Sequence, residues 1–333
     1  MRVLFINSPK FDYLQDLTYH GLHFLPDRPT VVDYPFHLGF HFEKKRYPCN
    51  LGYLPGTLVK SFWQDRRLQN TDLVVVGAAK PDCFRTYLKI LPQLPAEVKI
   101  IFVDGGDFSA VGGDLKRLHA YPLYEEAIRQ RPFDLVFKRE YLENTTYESN
   151  VVPFPFSFRA DYMPSPSAAK QYDVAFWAVE SHPIRTKALE ILENRFDCTT
   201  NGTVKNQVFS KYKRKGKQYL AALQQCKIVL NLRGVGWDTL RYWEVPALGG
   251  PLMISQRPQI VIPHNFEHQK HVIFCQDDLA DLVDICEYYL HHEAERQAIV
   301  EEARVFSQVN HSSIARATQF WTVVQSYFPE LFR

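Results

Sequence analysis

Short, continuous apolar runs recur along the chain between longer helical patterns, and this alternation most constrains how it can fold. A run that is apolar on both faces is typical of a strand in a parallel sheet that helices cover on both sides. In the first half, strands are predicted at 3–6, 73–76, 99–103 and 135–137, with helical patterns at 84–91 and 124–130 between them. The first half therefore predicts an open α/β unit.

The second half repeats this alternation. Strands are predicted at 174–177, 228–232, 251–254 and 272–274, and helices at 184–194, 218–225, 279–291 and 294–306. Between the halves, prolines at 153, 155, 164 and 166 interrupt regular structure and favour a crossover. We therefore predict an N-terminal Rossmann-like domain at 1–155, a proline-rich linker at 156–170 and a second domain at 171–311. A final helix within 312–333 is expected to cross back to the first domain.

Composition excludes several classes of protein. Hydrophobic residues make up 46% and charged residues 23% of the 333 positions, which excludes a disordered or fibrous chain. The net charge of +2 gives no general attraction to nucleic acid, so no nucleic-acid partner is expected. No apolar run reaches the length of a signal peptide core or a membrane span. The six cysteines are scattered as reduced thiols would be, so the expected location is cytoplasmic.

The segment 226–255 reads as a strand, a glycine-containing loop, a short helix, a Gly-Gly stop and a second strand. A loop that opens a helix exposes unpaired N–H groups at the positive end of the helix dipole, a combination that binds phosphate. Arg233 and Arg241 flank this turn and could bond a diphosphate. Glu244 is expected to be ionised and to accept bonds from sugar hydroxyls. The alternative is an ordinary βαβ unit in which these three residues form surface ion pairs.

The pattern Glu244-x-x-Ala247-x-Gly249-Gly250 resembles the C-terminal half of GT-B glycosyltransferases, and in particular the CgeB-like (spore-maturation-type) group. The resemblance extends from Tyr172, in an opening strand, to the helices after 278, and covers 172–305. It implies two Rossmann-like domains facing each other across a cleft. It also implies that a nucleotide sugar lies on the C-terminal domain and that the N-terminal domain is the acceptor side.

Carried over by position, the resemblance implies a set of donor-binding residues. Glu244 would bind the ribose or sugar hydroxyls, and the diphosphate and its surroundings would contact Arg185, Arg233, Gly234, Gly236, Thr239, Arg241, Gly249 and Gly250. Two departures from the pattern matter. Gly236 stands where many retaining enzymes of this fold have a second glutamate, so retention of configuration is not inferred. Pro246 is compatible with the helix only if the helix begins close by.

Two aspartates flank a glycine turn after the predicted strand at 99–103. Carboxyl ends of parallel strands face the ligand crevice, so Asp107 or Asp104 is a candidate general base for an acceptor hydroxyl. The alternative is a turn in which the aspartate bonds its own backbone.

Histidines are the other acceptor-side candidates. His20 and His23, with His37 and His41, lie in a ring-rich segment, 13–42, that we predict to be a mobile or acceptor-facing loop whose histidines are solvated or stacked on rings. A histidine near neutral pH suits general-base catalysis, but this spacing does not indicate a metal site.

A basic run, Lys211–Lys217, places five cations in seven residues. It predicts a weak contact with an anionic surface, a lipid-linked acceptor or the donor phosphates, and hence a protein that could be peripheral to a membrane. The alternative is a solvated loop. No Asp-x-Asp motif occurs, so neither a metal nor another cofactor is expected.

These observations predict a metal-independent glycosyltransferase that moves a hexosyl or related sugar from a nucleotide sugar to an acceptor hydroxyl. The acceptor could be a glycan, a lipid-linked compound or a small molecule. Two alternatives remain open: another nucleotide-sugar enzyme of this fold, such as an epimerase, and a catalytically silent protein that binds nucleotide sugars or glycans.

Overall fold

A computed structural model describes residues 1–26, 29–43, 47–165, 170–193, 195–196 and 216–332. The chain divides into two compact units. Unit 1 consists of Met1–Phe156 and Ser313–Arg333, and unit 2 of Ser157–Ser312. Both termini therefore belong to unit 1. No helix of the described residues combines the length and the apolar character needed to cross a bilayer.

Unit 1 contains a six-stranded sheet in which every neighbouring pair is parallel. Its strand order is β2-β1-β3-β4-β5-β6. The inner strands are apolar on both faces because helices cover the sheet on both sides. The strands are β1 (Arg2–Ile6), β2 (Thr30–Tyr34), β3 (Leu73–Val76), β4 (Lys99–Asp104), β5 (Leu135–Lys138) and β6 (Val151–Pro153).

The helices of unit 1 are α1 (Tyr13–Leu22), α2 (Leu38–His41), α3 (Leu58–Phe62), α4 (Pro81–Ile90), α5 (Gly113–Arg117), α6 (Tyr121–Gln130) and α12 (Ser313–Tyr327). Helix α12 packs along α1 at Gly21, where a Cβ would lie 2.1 Å from the Ser313 carbonyl oxygen. Only glycine permits this approach of the two helices. Phe320 on α12 stacks on Phe137 of β5, with ring centroids 4.2 Å apart.

Unit 2 contains a four-stranded parallel sheet with the order β10-β9-β8-β7. Its strands are β7 (Tyr172–Ala175), β8 (Cys226–Asn231), β9 (Leu252–Gln256) and β10 (Ile273–Cys275). Its helices are α7 (Pro183–Leu192), α8 (Lys217–Gln224), α9 (Leu240–Leu248), α10 (Leu282–His291) and α11 (Glu293–Asn310). Both units are thus α/β with parallel sheets, and the predicted pair of Rossmann-like domains is confirmed.

The ring-rich segment 13–42 was wrongly predicted as a loop. It contains α1, β2 and α2 instead, and its Tyr19 and Phe40 rings are buried inside unit 1. Tyr19, for example, is fully buried and stacks on Phe40, with centroids 3.9 Å apart. Edge strands β2 and β6 were not predicted at all.

Candidate functional site

The carboxyl ends of β8 and β9 are joined by a short polar network in unit 2. Asn231, the last residue of β8, donates from Nδ2 to Ser255 Oγ at 3.0 Å. Its Oδ1 accepts a hydrogen bond of 2.6 Å from Thr239 Oγ1. Thr239 is the residue before α9, so this network fixes where the helix begins relative to the sheet. The helix therefore starts at the edge where ligands of parallel α/β sheets bind.

The loop from β8 to α9, residues 232–239, is tight and closely packed. Gly234 N donates to the Gly236 carbonyl at 3.0 Å. A Cβ on Gly234 would lie 3.0 Å from Ser181 Oγ and 3.2 Å from Arg185 Nη2, so a side chain here would displace its neighbours. Gly234 therefore brings the loop backbone against α7 and the Arg185 guanidinium.

Arg185 projects from α7 into a cradle of carbonyl groups. Its guanidinium donates to Val179 O at 2.7 Å, to Leu232 O at 2.9 Å and to Arg233 O at 2.9 Å. The side chain is buried. Burial and the nearby Arg241 lower the pKa of Arg185 to about 9. The cradle therefore fixes the orientation of the group, while no carboxylate among the described residues pairs with its charge.

Arg241, in the first turn of α9, is also buried. Its guanidinium donates to the Trp177 carbonyl and lies 5.6 Å from the centroid of the Phe176 ring. Its Nε has no hydrogen-bond partner among the described residues. Neither Arg241 nor Arg185 forms an ion pair with a carboxylate in the described part of the chain. Two buried positive charges without counter-ions are costly, and a bound anion would offset that cost.

Arg233 is less buried and stacks over Trp237, with its Cζ 4.1 Å from the ring centroid. It donates to the Val235 carbonyl at 3.2 Å. Its backbone N–H donates to Gln256 Oε1 at 3.4 Å, at the end of β9. Arg233 is thus held at the loop by an aromatic face and by backbone groups.

Glu244 lies in the second turn of α9 and is 2% exposed. Burial raises its pKa to about 8. The expectation that Glu244 is ionised was therefore wrong, since at neutral pH the carboxyl is largely protonated. In that form it offers one O–H donor as well as acceptor oxygens.

Gly249 and Gly250 were predicted to bind the donor, and the structure places them elsewhere. Gly249 ends α9 in the left-handed conformation, with φ of 62°, and the Arg304 side chain lies against it. A Cβ on Gly250 would lie 2.1 Å from Gln224 Oε1. Because β9 begins just after them, both glycines lie at the amino end of the sheet, away from the loop 232–239. Their role is to stop and pack the helix.

A polar cavity that the sequence did not suggest lies at the start of α7. Its volume is about 730 Å³, and it is lined by Glu180, Ser181, His182, Pro183, Thr186, Lys187 and Glu190. His182 caps α7, because its Nδ1 accepts from Ile184 N at 3.3 Å. Burial, Arg233 and Arg185 lower the pKa of His182, which favours the neutral ring. The run Ser-His-Pro at 181–183 was the available sequence signal, since Pro is favoured in the first turn of a helix.

In unit 1, the two predicted base candidates have different surroundings. Asp104 is fully buried, lies 3.1 Å from Lys138 Nζ, and accepts from Gly106 N and Gly112 N at 3.2 and 2.8 Å. It is a structural carboxylate, so the suggestion that it could act as a base is corrected. Asp107 is one-third exposed and pairs with Arg139, while Arg117 Nη2 lies 4.0 Å away.

Sequence reasoning missed another carboxylate, Asp12, which lies at the carboxyl ends of the unit 1 strands. It caps α1 by accepting from Gln15 N at 3.2 Å, and Lys80 Nζ lies 3.5 Å from its Oδ2. A Cβ on Gly105 would lie 3.1 Å from its Oδ1, so Asp12 adjoins the turn between the two predicted aspartates. Burial raises the pKa of Asp12 despite the lysine. The available signal was an Asp directly before an apolar helical pattern.

His20 and His23 were predicted on the acceptor side, at the carboxyl ends of the strands. The topology places them at the amino ends of the strands instead. They lie at the C-terminal end of α1, which runs from the carboxyl to the amino edge of the sheet. His20 Nδ1 is 2.9 Å from Ser313 Oγ, and His23 Nδ1 donates to the Tyr19 carbonyl at 2.8 Å. His20 therefore packs between α1 and α12, and His23 packs on Tyr19 of its own helix. His41, after β2, instead lies 3.4 Å from Asp33.

Most of the predicted basic contact lies outside the described residues, since only Gly216 and Lys217 of Lys211–Lys217 are described. Lys217 Nζ lies 4.9 Å from the centroid of the Tyr162 ring. Within the described ranges, no cluster of His, Cys, Asp or Glu has the arrangement of a metal site.

Comparisons with known proteins agree with this architecture. Residues 184–322 match the family described as "Glycosyl transferase-like". A comparison with curated proteins finds no match.

Several solved structures resemble the chain over nearly its whole length. An alpha-glucosyltransferase in complex with UDP and DNA has a TM-score of 0.60 at 12% identity, covering 97% of this chain and 99% of that one. Alr3699/HepE from Anabaena in complex with UDP has a TM-score of 0.58 at 12% identity, covering 98% and 100%. Sucrose-phosphate synthase from Thermosynechococcus elongatus has a TM-score of 0.58 at 11% identity, covering 99% and 100%. The chain therefore has the GT-B fold with two Rossmann-like domains, and its residues 184–322 match the family model described as "Glycosyl transferase-like".

Proposed function

We propose that the protein is a glycosyltransferase that takes a hexosyl or related sugar from a nucleotide sugar. The observation that carries this proposal is the pair of buried guanidinium groups, Arg185 and Arg241, beside the loop 232–239. Neither has a carboxylate partner among the described residues, and the start of α9 adds the positive end of a helix dipole. A diphosphate would supply the missing negative charge. The structures complexed with UDP or UDP-glucose make a uridine nucleotide the first donor to test.

In this reaction the acceptor oxygen forms a bond to the anomeric carbon while the bond from that carbon to the diphosphate breaks. Negative charge then accumulates on the departing nucleoside diphosphate. Fixed positive groups aimed at that charge stabilise the transition state, and they need not reorganise during the reaction. Arg185 meets this requirement because three carbonyl groups fix its orientation. Arg233 and the backbone of Gly234 and Gly236 would complete the diphosphate site.

Glu244 and Thr239 have different proposed roles. A protonated Glu244 can both donate to and accept from a sugar or ribose hydroxyl. Thr239 orients Asn231 and so positions the start of α9. The similarity to the CgeB-like group concerns this same helix and is part of the proposal.

The acceptor hydroxyl must also lose its proton. Asp107 was the sequence-based candidate for the base, but it pairs with Arg139, and Arg117 lies 4.0 Å away. Asp12 has only Lys80 as an ion-pair partner among the described residues, and burial raises its pKa. We therefore place Asp12 beside Asp107 as a candidate base. The acceptor itself is not assigned.

Nucleotide-induced stabilisation tests the donor site. In a panel of UDP, GDP, ADP and dTDP, one nucleotide should raise the melting temperature. At a concentration a hundredfold above Kd, it should stabilise the folded protein by about 2.7 kcal/mol. Arg241→Met should abolish that shift. The matched control is Arg304→Met, which removes a half-buried arginine paired with Glu301 on α11. If Arg241→Met shows the full wild-type shift, the site is misplaced.

Release of nucleoside diphosphate from the matching nucleotide sugar tests for transfer chemistry. Slow hydrolysis without an acceptor is expected, because water is a competing acceptor. Binding without any release would identify a catalytically silent protein, and release of an isomerised nucleotide sugar would identify an epimerase. Metal independence belongs to this proposal, so chelation with EDTA should leave the rate unchanged. A rate that EDTA abolishes and Mg²⁺ restores would contradict that part.

A further inference from the structure

On helix α3 of unit 1, apolar side chains face the solvent and a polar side chain is buried. Val59, Phe62 and Trp63 lie at positions i, i+3 and i+4, so they share one face, and they are 72%, 61% and 86% exposed. The polar Ser61 points the other way, is buried, and donates to the Leu58 carbonyl at 2.8 Å. An apolar stripe on a surface helix normally faces the core. Here it faces solvent.

This apolar face, Val59–Phe62–Trp63, packs on the rest of unit 1 through Phe62. Phe62 stacks on Phe36, with ring centroids 4.8 Å apart. The Arg66 guanidinium lies 5.3 Å from the centroid of the Phe36 ring and is itself fixed by Asp33, at 2.8 Å. The Phe62 ring is therefore held by a packed layer of side chains. Contiguous exposed apolar groups of this kind mark a contact surface.

The charge of the sequence segment that carries the face indicates which partner it contacts. Lys60 lies within α3, is exposed, and forms no ion pair with any described residue. In the sequence, 35–67 carries six Lys or Arg against two acidic residues, three of the six lying at 44–46, outside the described ranges. Lysine is depleted at the centre of protein–protein interfaces, whereas lysine beside tryptophan suits the headgroup region of an anionic bilayer.

We propose that the Val59–Phe62–Trp63 face of unit 1 docks reversibly on the surface of an anionic membrane. Trp63 and Phe62 enter the headgroup boundary while Lys60 remains at the phosphate level. One short turn buries little apolar area, so the attachment is weak and depends on anionic lipid and on ionic strength. This inference goes beyond the proposed function and does not depend on it.

Tryptophan fluorescence gives a selective readout. The chain has five tryptophans, and the other four (Trp177, Trp237, Trp243 and Trp321) are at most 8% exposed. A blue shift on adding vesicles therefore reports Trp63. We expect this shift, together with co-sedimentation, with phosphatidylcholine vesicles that contain about 30% phosphatidylserine, and much less of both with pure phosphatidylcholine.

Matched variants locate the contact. Trp63→Ala and Val59→Ser should each lower the vesicle affinity by about tenfold, since each removes an exposed apolar group from the face. The control is Val309→Ser in unit 2, where the valine is 68% exposed, and it should bind as the wild type does. Equal losses in Val59→Ser and Val309→Ser, or no wild-type binding to either vesicle, would overturn the proposal. A doubled mass in solution that Trp63→Ala reverses would also overturn it, because the face would then belong to a contact between two copies.

Discussion

At the scale of single residues, Glu244 shows how burial gives a side chain a pH dependence of definite sign. Its pKa rises from an ordinary 4.5 to about 8 because α9 places it out of contact with water. Between these values the unfolded chain has released the proton that the folded chain still holds. The contribution of Glu244 to the free energy of unfolding is therefore fully present below pH 4.5 and is lost as the pH rises toward 8.

Replacing Glu244 by Gln should remove this dependence. We expect the wild type to lose stability relative to Glu244→Gln between pH 5 and 8, by up to about 4 kcal/mol. Denaturant unfolding at a series of pH values measures the difference. The exposed Glu302→Gln is the control, and its stability should follow that of the wild type. Parallel curves for the wild type and Glu244→Gln would show that the carboxyl is ionised after all.

Asp12 and Asp107 can be separated by paired substitutions. Asparagine caps a helix about as well as aspartate does, so Asp12→Asn should keep α1 intact while it removes a basic carboxylate. If Asp12 accepts the acceptor proton, its loss should lower turnover by about 10² to 10⁴-fold with little change in nucleotide binding. Asp107→Asn should then have a smaller effect. Full turnover in both variants would show that the proton goes elsewhere, for instance to the departing diphosphate.

At the scale of elements, the inner strands of unit 1 were predictable and its edge strands were not. The apolar runs at 73–76 and 99–103 match β3 and β4 to within one residue, because inner strands are covered on both faces. The two strands of unit 1 that were missed, β2 and β6, are the two edges of its sheet. β2 ends in Asp33 and Tyr34, and β6 is short and ends in Pro153, as edge strands often do. Their pattern is therefore too weak to read without the neighbouring strand.

Substitutions at Gly234, in the loop before α9, and at Gly249, which ends α9, should affect donor binding and stability separately. Gly234→Ala would place a methyl group 3.2 Å from Arg185 Nη2 and should weaken nucleotide binding more than it lowers the melting temperature. Gly249→Ala puts a side chain at φ of 62° and against Arg304, so it should cost about 1 kcal/mol or more of stability. The nucleotide-induced shift should survive in Gly249→Ala. Thermal unfolding with and without nucleotide measures the stability and the nucleotide binding of each variant. If Gly249→Ala loses nucleotide binding and Gly234→Ala keeps it, Gly249 belongs to the donor site.

At the scale of the whole molecule, sequence patterns could indicate the loop that faces the ligand but not what each residue there contacts. Arg185 and Arg241 were selected from the resemblance, yet their carbonyl cradles depend on residues up to 64 positions away. The position of His20 and His23 at the amino edge follows only from the direction of α1 against the parallel sheet. The net charge of +2 also averages over local features such as the two buried guanidinium groups. Each of these points depends on tertiary structure, which patterns in a single sequence do not specify.

Because unit 1 is built from both ends of the chain, a change near the C-terminus should act on it and not on the donor site. Phe320 of α12 is fully buried and stacks on Phe137. Phe320→Ala should destabilise unit 1 by about 3–5 kcal/mol through lost contacts and a cavity. Unit 2 should keep its nucleotide-induced stabilisation. Two-step thermal unfolding with and without nucleotide measures this, with the exposed Thr322→Ala on the same helix as the control. Loss of nucleotide binding in Phe320→Ala but not in Thr322→Ala would mean that the donor site depends on the folding of unit 1.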